Sequence, residues 1–267
     1  MGFTGARLCD FRRCSVATDA MRQQVVVRRD RPANPTWDRV FFSAMILLLW
    51  ATVLFGFAKT YFMAGMVNAP LPNRLVHVHG AVFTLWMVLL LVQEVLIAGR
   101  KITWHKQLGL AGFGLAVAML VLGVLAATDA MRRGSDGNSG LGPETFYAIP
   151  ITGIVAFAVL VYLAYRDRFR PAAHKRLILI ATIGISAAAI ARWPVGFIVA
   201  NPPTRNLVIL AFLLLVVAYD LVSLHRVLKT TIWASVFTMV VAVGAVPLGF
   251  TPLWHAFAHM MGSVLKV

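Results

Sequence analysis

What this chain has least of is charge, and above all negative charge. Ten acidic residues stand among 267, and charged residues of both signs make up 13% of the sequence. A soluble domain averages ~25%, so too few polar side chains remain to coat a water-soluble globule of this size. Cysteine is nearly absent: Cys9 and Cys14 sit together in the N-terminal arm. The arm is placed in the cytoplasm, which disfavours a disulfide, and two cysteines five residues apart without partners make no metal site. The first 37 residues contain no apolar stretch of signal-peptide length, which argues against cleavage and secretion. The strict apolar–polar alternation of a membrane β-barrel is missing as well.

What is there is hydrophobic surface, 60% of residues with a mean hydropathy of +0.79, gathered into long runs. Seven runs are each close to the ~20 residues that cross a bilayer core as a helix. They cover Arg39–Phe62, Leu75–Ala98, Leu108–Thr128, Phe146–Tyr165, Arg176–Val199, Asn206–Leu224 and Thr230–Gly249. The expected fold is all-α, a polytopic bundle of seven transmembrane helices. A basic arm (residues 1–37) precedes the bundle (38–250), and a short amphipathic surface helix (251–267) follows it. The arm holds seven arginines and is expected to be disordered or to lie on anionic lipid. Met21 opens a segment that would serve equally well as a protein start.

The net charge of +15 does not imply nucleic acid, because the basic residues fall in the short connections between apolar runs. Eighteen lysines and arginines lie on one side of the implied topology and seven on the other. The positive-inside rule then places the N-terminus in the cytoplasm and the C-terminus outside. The implied location is a bacterial inner membrane.

The most informative stretch is Leu75–Gly109, which carries His77 and His79 at one end and Gln93, Glu94 and His105 towards the other. Topology sorts the polar residues into two layers. The outer layer holds Lys59, Tyr61, His77, His79, Asp129 and Arg192, with His255 and His259 near it. The inner layer holds Glu94, His105, His174, Asp220 and His225. Arg192 is placed about two-thirds of the way along the fifth run. A charge there costs ~2.5–3.5 kcal/mol on insertion scales and calls for a partner or water. It can hold an anionic headgroup, a heme propionate or an acidic substrate, or it can snorkel outward and pair with Asp129.

The histidines suggest heme or metal. His77 and His79 can chelate one metal in extended geometry but diverge by about 200° on a helix. His79 lies deeper and is the better heme ligand of the two. His105 and His174, at one depth on different helices, suit a bis-histidine heme b or a proton relay near a quinone. With His225 they can form a cation site, or all three can be ordinary interfacial histidines. Glu94 and Asp220 read as proton carriers or as local partners of Arg100 and Arg226.

After Pro247 and Gly249, Thr251 and Pro252 signal a new helix start. On that helix His255, His259, Gly262 and Lys266 share a polar face, which points to a helix lying on the outer membrane surface. His255 and His259 have the i, i+4 spacing that suits zinc, without the adjacent glutamate of the HExxH metalloproteases. The loop Asp129–Glu144 between the third and fourth runs reads as a flexible connector.

Seven helices with histidine on the second and HxxxH after the seventh resemble membrane hydrolases of the alkaline ceramidase and adiponectin receptor type. That resemblance implies a zinc-dependent hydrolase using His77, His79, His255 and His259, although the serine and aspartate those enzymes use have no counterpart here. HVHG at 77–80, Trp86, Gln93, WHKQLG at 104–109, AKTYF at 58–62, HKRL at 174–177, AR at 191–192 and YD at 219–220 resemble a group of bacterial multi-pass proteins. That likeness implies no activity. His105, Lys106, Leu108 and Gly109 are more distantly similar to patterns in cytochrome b561-like proteins, which implies heme b. Three function classes follow: a heme- or quinone-linked redox protein, a metal-dependent membrane hydrolase, and a transporter, sensor or scaffold whose Lys59 and Arg192 bind a small anion or lipid. Small-residue stretches at 109–118 and 184–191 predict that the third and fifth helices line the bundle centre.

Overall fold

A computed structural model describes residues 34–63, 73–137, 139–197 and 202–265. The basic arm up to residue 33 and Lys266 lie outside the described residues. All regular structure described is helical: α1 (Pro35–Phe57) with a π-helical turn (Ala58–Phe62), α2 (Arg74–Ala98), α3 (Ile102–Arg132), α4 (Pro143–Arg166), α5 (Pro171–Ile185), α6 (Ala187–Ile190), α7 (Pro202–Leu224), α8 (Lys229–Gly249) and α9 (Pro252–Val264). Seven helices are long and apolar enough to cross a membrane, α5 and α6 together making the fifth.

Local chemistry sets the helix starts. α1, α4, α5, α7 and α9 begin at proline, whose missing N–H costs nothing in a first turn. Asn34, Asn73 and Thr251 cap α1, α2 and α9 with side-chain oxygens. The helices run up and down, so two faces result. The start of α1 and the turns at Arg100–Lys101, Asp167–Arg170 and His225–Leu228 form the basic face; the opposite one is called the distal face here.

The fifth span is shorter than its apolar run. Ser186 interrupts it, and the helix stops at Ile190, so Arg192 lies in the turn beyond its end rather than inside it. Pro194 explains the stop, since the residue before a proline is pushed out of the α region. The N–H groups of Arg192 and Trp193 instead close tight turns onto Ala189 and Ile190.

The most buried spans are the fourth and fifth. The expected central role of the fifth therefore holds, while α4 rather than α3 stands beside it. α4 packs on α3, α5 and α8. The small residues of α3 still admit neighbours: a Cβ on Gly112 would stand 2.6 Å from Leu89 of α2. Close approach is tighter at Gly56, where any Cβ would collide with the Ala189 carbonyl of α6.

One polar contact crosses the packed interior near the basic face. Asp220 of α7 accepts from Arg176 Nε at 2.8 Å and Nη2 at 2.5 Å, from Thr231 Oγ1 at 2.6 Å and from the Leu228 N–H at 3.1 Å. Arg176 and Asp220 are 1% and 0% exposed, so neither charge is relieved by solvent. The Arg176 Nη1 donates to Ala172 O. The pair therefore ties α5, α7 and the start of α8 together with nearly every polar atom satisfied.

Breaking that pair should destabilise the bundle by about 3–5 kcal/mol, because the surviving charge stays buried. Asp220→Asn and Arg176→Leu are each expected to lower the thermal midpoint of the detergent-solubilised protein strongly. The double variant Arg176→Met/Asp220→Leu should recover most of the loss, and equal loss in single and double variants would show that the pair is not what holds these helices.

Candidate functional site

Ionisable side chains cluster at the basic face. Asp38, in the first turn of α1, takes the Lys175 ammonium of α5 and accepts from the Tyr219 hydroxyl of α7 at 2.7 Å. Phe41 stacks on Tyr219 with ring centroids 4.0 Å apart, and the Lys175 ammonium lies 4.4 Å from the centre of the Phe42 ring. Next to this group, Glu94 of α2 accepts from Ser43 of α1 at 3.2 Å and sits in the electrostatic field of Lys175 and Asp38. Glu94 thus does not pair with Arg100, nor Asp220 with Arg226: both carboxylates reach across to other helices.

The two inner histidines come together at this level. His105, in the first turn of α3, lies within electrostatic range of His174 in the first turn of α5. Their rings are held differently. His174 Nδ1 lies 2.8 Å from Ala164 O, one of the orphan carbonyls at the end of α4. That bond puts the His174 proton on Nδ1 and leaves Nε2 with a free lone pair. His105 Nδ1 contacts the Gln93 amide at 2.5 Å, with the amide nitrogen towards the ring and its oxygen on the Gly109 N–H at 3.0 Å. In that arrangement His105 Nδ1 accepts, and Nε2 carries the proton.

The outer layer is not one site. His77 lies against Tyr61, whose hydroxyl is 3.4 Å from Nδ1, and the π-turn at Ala58–Phe62 is what turns Tyr61 towards it. His79 points elsewhere, its ring over Phe83 at 4.1 Å and facing the Leu122 carbonyl of α3. Both are on α2, so they diverge as helical i, i+2 residues must, and the extended chelating pair does not form. Lys59 is exposed. Asp129 is taken by Arg133 at 2.9 Å and by Asn73, the cap of α2, at 2.8 Å, and so is not the partner of Arg192. Arg192 donates to Ala188 O at 2.7 Å and lies over the Phe57 ring at 5.0 Å.

The C-terminal helix docks on the bundle by one face. α9 buries Trp254 and Ala258 against α3 and α4, and its exposed positions include the apolar Leu253, Met260 and Val264. His255 and His259 turn towards the start of α4, where one carboxylate meets both: Glu144 Oε2 is 2.8 Å from His255 Nδ1 and Oε1 is 3.2 Å from His259 Nε2. Trp254 Nε1 adds a bond to Glu144 O at 2.9 Å. A cavity of about 450 Å³ opens beside them, also lined by Arg132 and Thr145. Glu144 belongs to a loop that reads as featureless in sequence. Among the described residues no three His, Cys, Asp or Glu side chains are placed to hold a metal ion.

Asp38, Lys175, Arg176 and Glu144 are the residues sequence reasoning passed over. The first three carry a usable signal, since an acid in a first turn and a basic pair inside an apolar run both need partners. Comparisons with family models, with curated proteins and with solved structures find no match for this chain.

Trp254 is the apolar anchor of α9, and the Glu144 contacts lie at its rim. Trp254→Ala should raise hydrogen–deuterium exchange across residues 252–264 while leaving the spans protected. His259→Ala, at an exposed position, should change it little. Equal exchange in both variants would show that the imidazole contacts, not the buried indole, dock the helix.

Proposed function

We propose that this chain is a redox-linked protein of a bacterial inner membrane, its basic face in the cytoplasm, which binds a quinone headgroup beside His105, His174 and Glu94. The feature that supports this reading is that two histidines at helix starts lie within electrostatic range of each other on the face where Glu94 bonds Ser43. A quinone carbonyl needs a hydrogen-bond donor to bind and a proton source when reduced. His105 Nε2–H suits the first role. Glu94, with Ser43 and the nearby Lys175, suits the second.

Heme b is the alternative supported by one feature. An imidazole whose Nδ1–H is fixed on a carbonyl offers Nε2 in the manner of a metal ligand, and His174 has that arrangement. His105 would have to give up its Gln93 contact to serve as the second axial ligand, which favours quinone. The outer pair His79 and Arg192 takes no part in this site. His79 and Glu94 are fifteen residues apart on α2, about 22 Å at 1.5 Å per residue. The hydrolase class finds less support, because His77 and His79 are not brought to His255 and His259.

Trp104 stands one residue from His105 and reports on the site. Titration of the purified protein with a short-tailed quinone is expected to quench its fluorescence saturably. His105→Ala should weaken binding about tenfold, the worth of one good hydrogen bond. Absence of quenching, or an unchanged affinity in His105→Ala, refutes the quinone reading. A Soret band that disappears in His174→Ala would support heme in its place.

A further inference from the structure

At the distal face two arginines lie within electrostatic range of each other, and neither has a carboxylate partner among the described residues. Arg192, in the turn after α6, lies in the electrostatic field of Arg205, in the first turn of α7, and His79 lies in the field of Arg192. The described carboxylates of this face are engaged elsewhere, Asp129 by Arg133 and Asn73, Asp136 by the Gly140 N–H, and Glu144 by the two histidines of α9. Among the described residues neither arginine has a salt-bridge partner. Arg205 Nε and His79 Nδ1 are both buried without a hydrogen bond. The two guanidinium groups repel one another, and Arg205 keeps a buried Nε–H unpaired. An anion between them would remove both costs, and a bidentate fork suits phosphate oxygens.

Arg205 directly follows Thr204, which lines the upper end of an apolar groove. Between α1 and α7 a cleft of about 490 Å³ is lined by Leu48, Phe197, Thr204, Val208, Phe212 and Leu215, among others. Its α7 residues fall on one helical face, spanning eleven residues or about 16 Å along the axis. Arg205 sits 100° round the helix from Thr204, on the flank of that face. The groove faces the hydrocarbon region, where an acyl chain is the available filler.

We propose that Arg192 and Arg205 clamp the phosphate of an anionic phospholipid whose acyl chain lies in the α1–α7 groove. The assignment rests on complementarity at both ends: unpaired cationic donors at the mouth, and an apolar channel of chain-like length below. The occupant is a lipid rather than free phosphate because only an amphiphile uses both parts.

The test measures lipid adducts on the intact, detergent-solubilised chain by native mass spectrometry, with phosphatidylglycerol and phosphatidylcholine of identical chains as probes. The unsubstituted protein is expected to prefer phosphatidylglycerol at least tenfold. Arg192→Gln/Arg205→Gln should abolish that preference, while Arg132→Gln, a distal arginine away from the groove, should keep it. Ala211→Phe, which fills the groove without touching the arginines, should weaken both lipids. Thermal midpoints within a few degrees of the unsubstituted protein confirm that these variants fold. Retention of the preference in the double arginine variant overturns the clamp. Displacement of the lipid by millimolar inorganic phosphate, with normal lipid binding in Ala211→Phe, overturns the lipid assignment.

Discussion

The contact on which the bundle depends is the ion pair between Arg176 and Asp220. Taking both charges out of water is costly, and their attraction offsets it only where geometry is good and the remaining polar atoms are satisfied. Here Asp220 accepts four hydrogen bonds, two from Arg176 of α5 and two from the start of α8. The pair therefore fixes the relative height of α5, α7 and the start of α8. That height matters to its neighbours: Lys175 and His174 precede Arg176 directly, and Tyr219 precedes Asp220. Once Arg176 is locked, Lys175 is delivered to Asp38 of α1 and His174 to the end of α4. The basic-face cluster is in this sense built outward from one buried bond.

The two faces solve the same electrostatic problem in different ways. On the basic face Asp38 and Asp220 bind cations of other helices, so charge contributes to the assembly of spans. On the distal face the pairs are local or peripheral, Asp129 with Arg133 one turn away and Glu144 with the added helix α9. Arg192 and Arg205 are left over. Between the faces hydroxyl groups return their hydrogen bonds to the preceding turn, as Thr84, Thr152, Thr182, Ser186 and Thr238 do. Such back-bonding satisfies a hydroxyl within its own helix and leaves it little to offer a neighbour. Indole groups supply the cross-links instead, Trp50 to Met87 O and Trp193 to Thr52 O.

The spans were legible in the sequence because a membrane helix is a one-dimensional object: length and hydropathy define it without reference to neighbours. The same property misplaced the end of the fifth span. Its run stays apolar through Val199, and only the backbone effect of Pro194 marks the stop before Arg192. Pairings were less legible. Asp220 has Arg226 six positions away in sequence, whereas Arg176, its actual partner, is 44 positions away and is found only when α5 and α7 are known to be adjacent. His105 and His174 could be matched because both lie at helix starts on the same face, so depth alone brings them together. Glu144 was hidden by its setting in a glycine-rich loop whose Gly134, Gly137, Gly140 and Gly142 all take positive φ, a pattern that reads as connector.

Whether the layers communicate turns on the centre of α2. Trp86 Nε1 donates to Thr182 Oγ1 at 3.2 Å, the described side-chain bond that joins α2 to α5 deep in the bundle. Thr182 spends its own proton on Ile178 O, and Ser186 above it spends its proton on Thr182 O. An indole N–H donates and cannot accept. A proton arriving at Thr182 therefore has no acceptor in Trp86, and a chain of side-chain hops between the faces is broken there among the described residues.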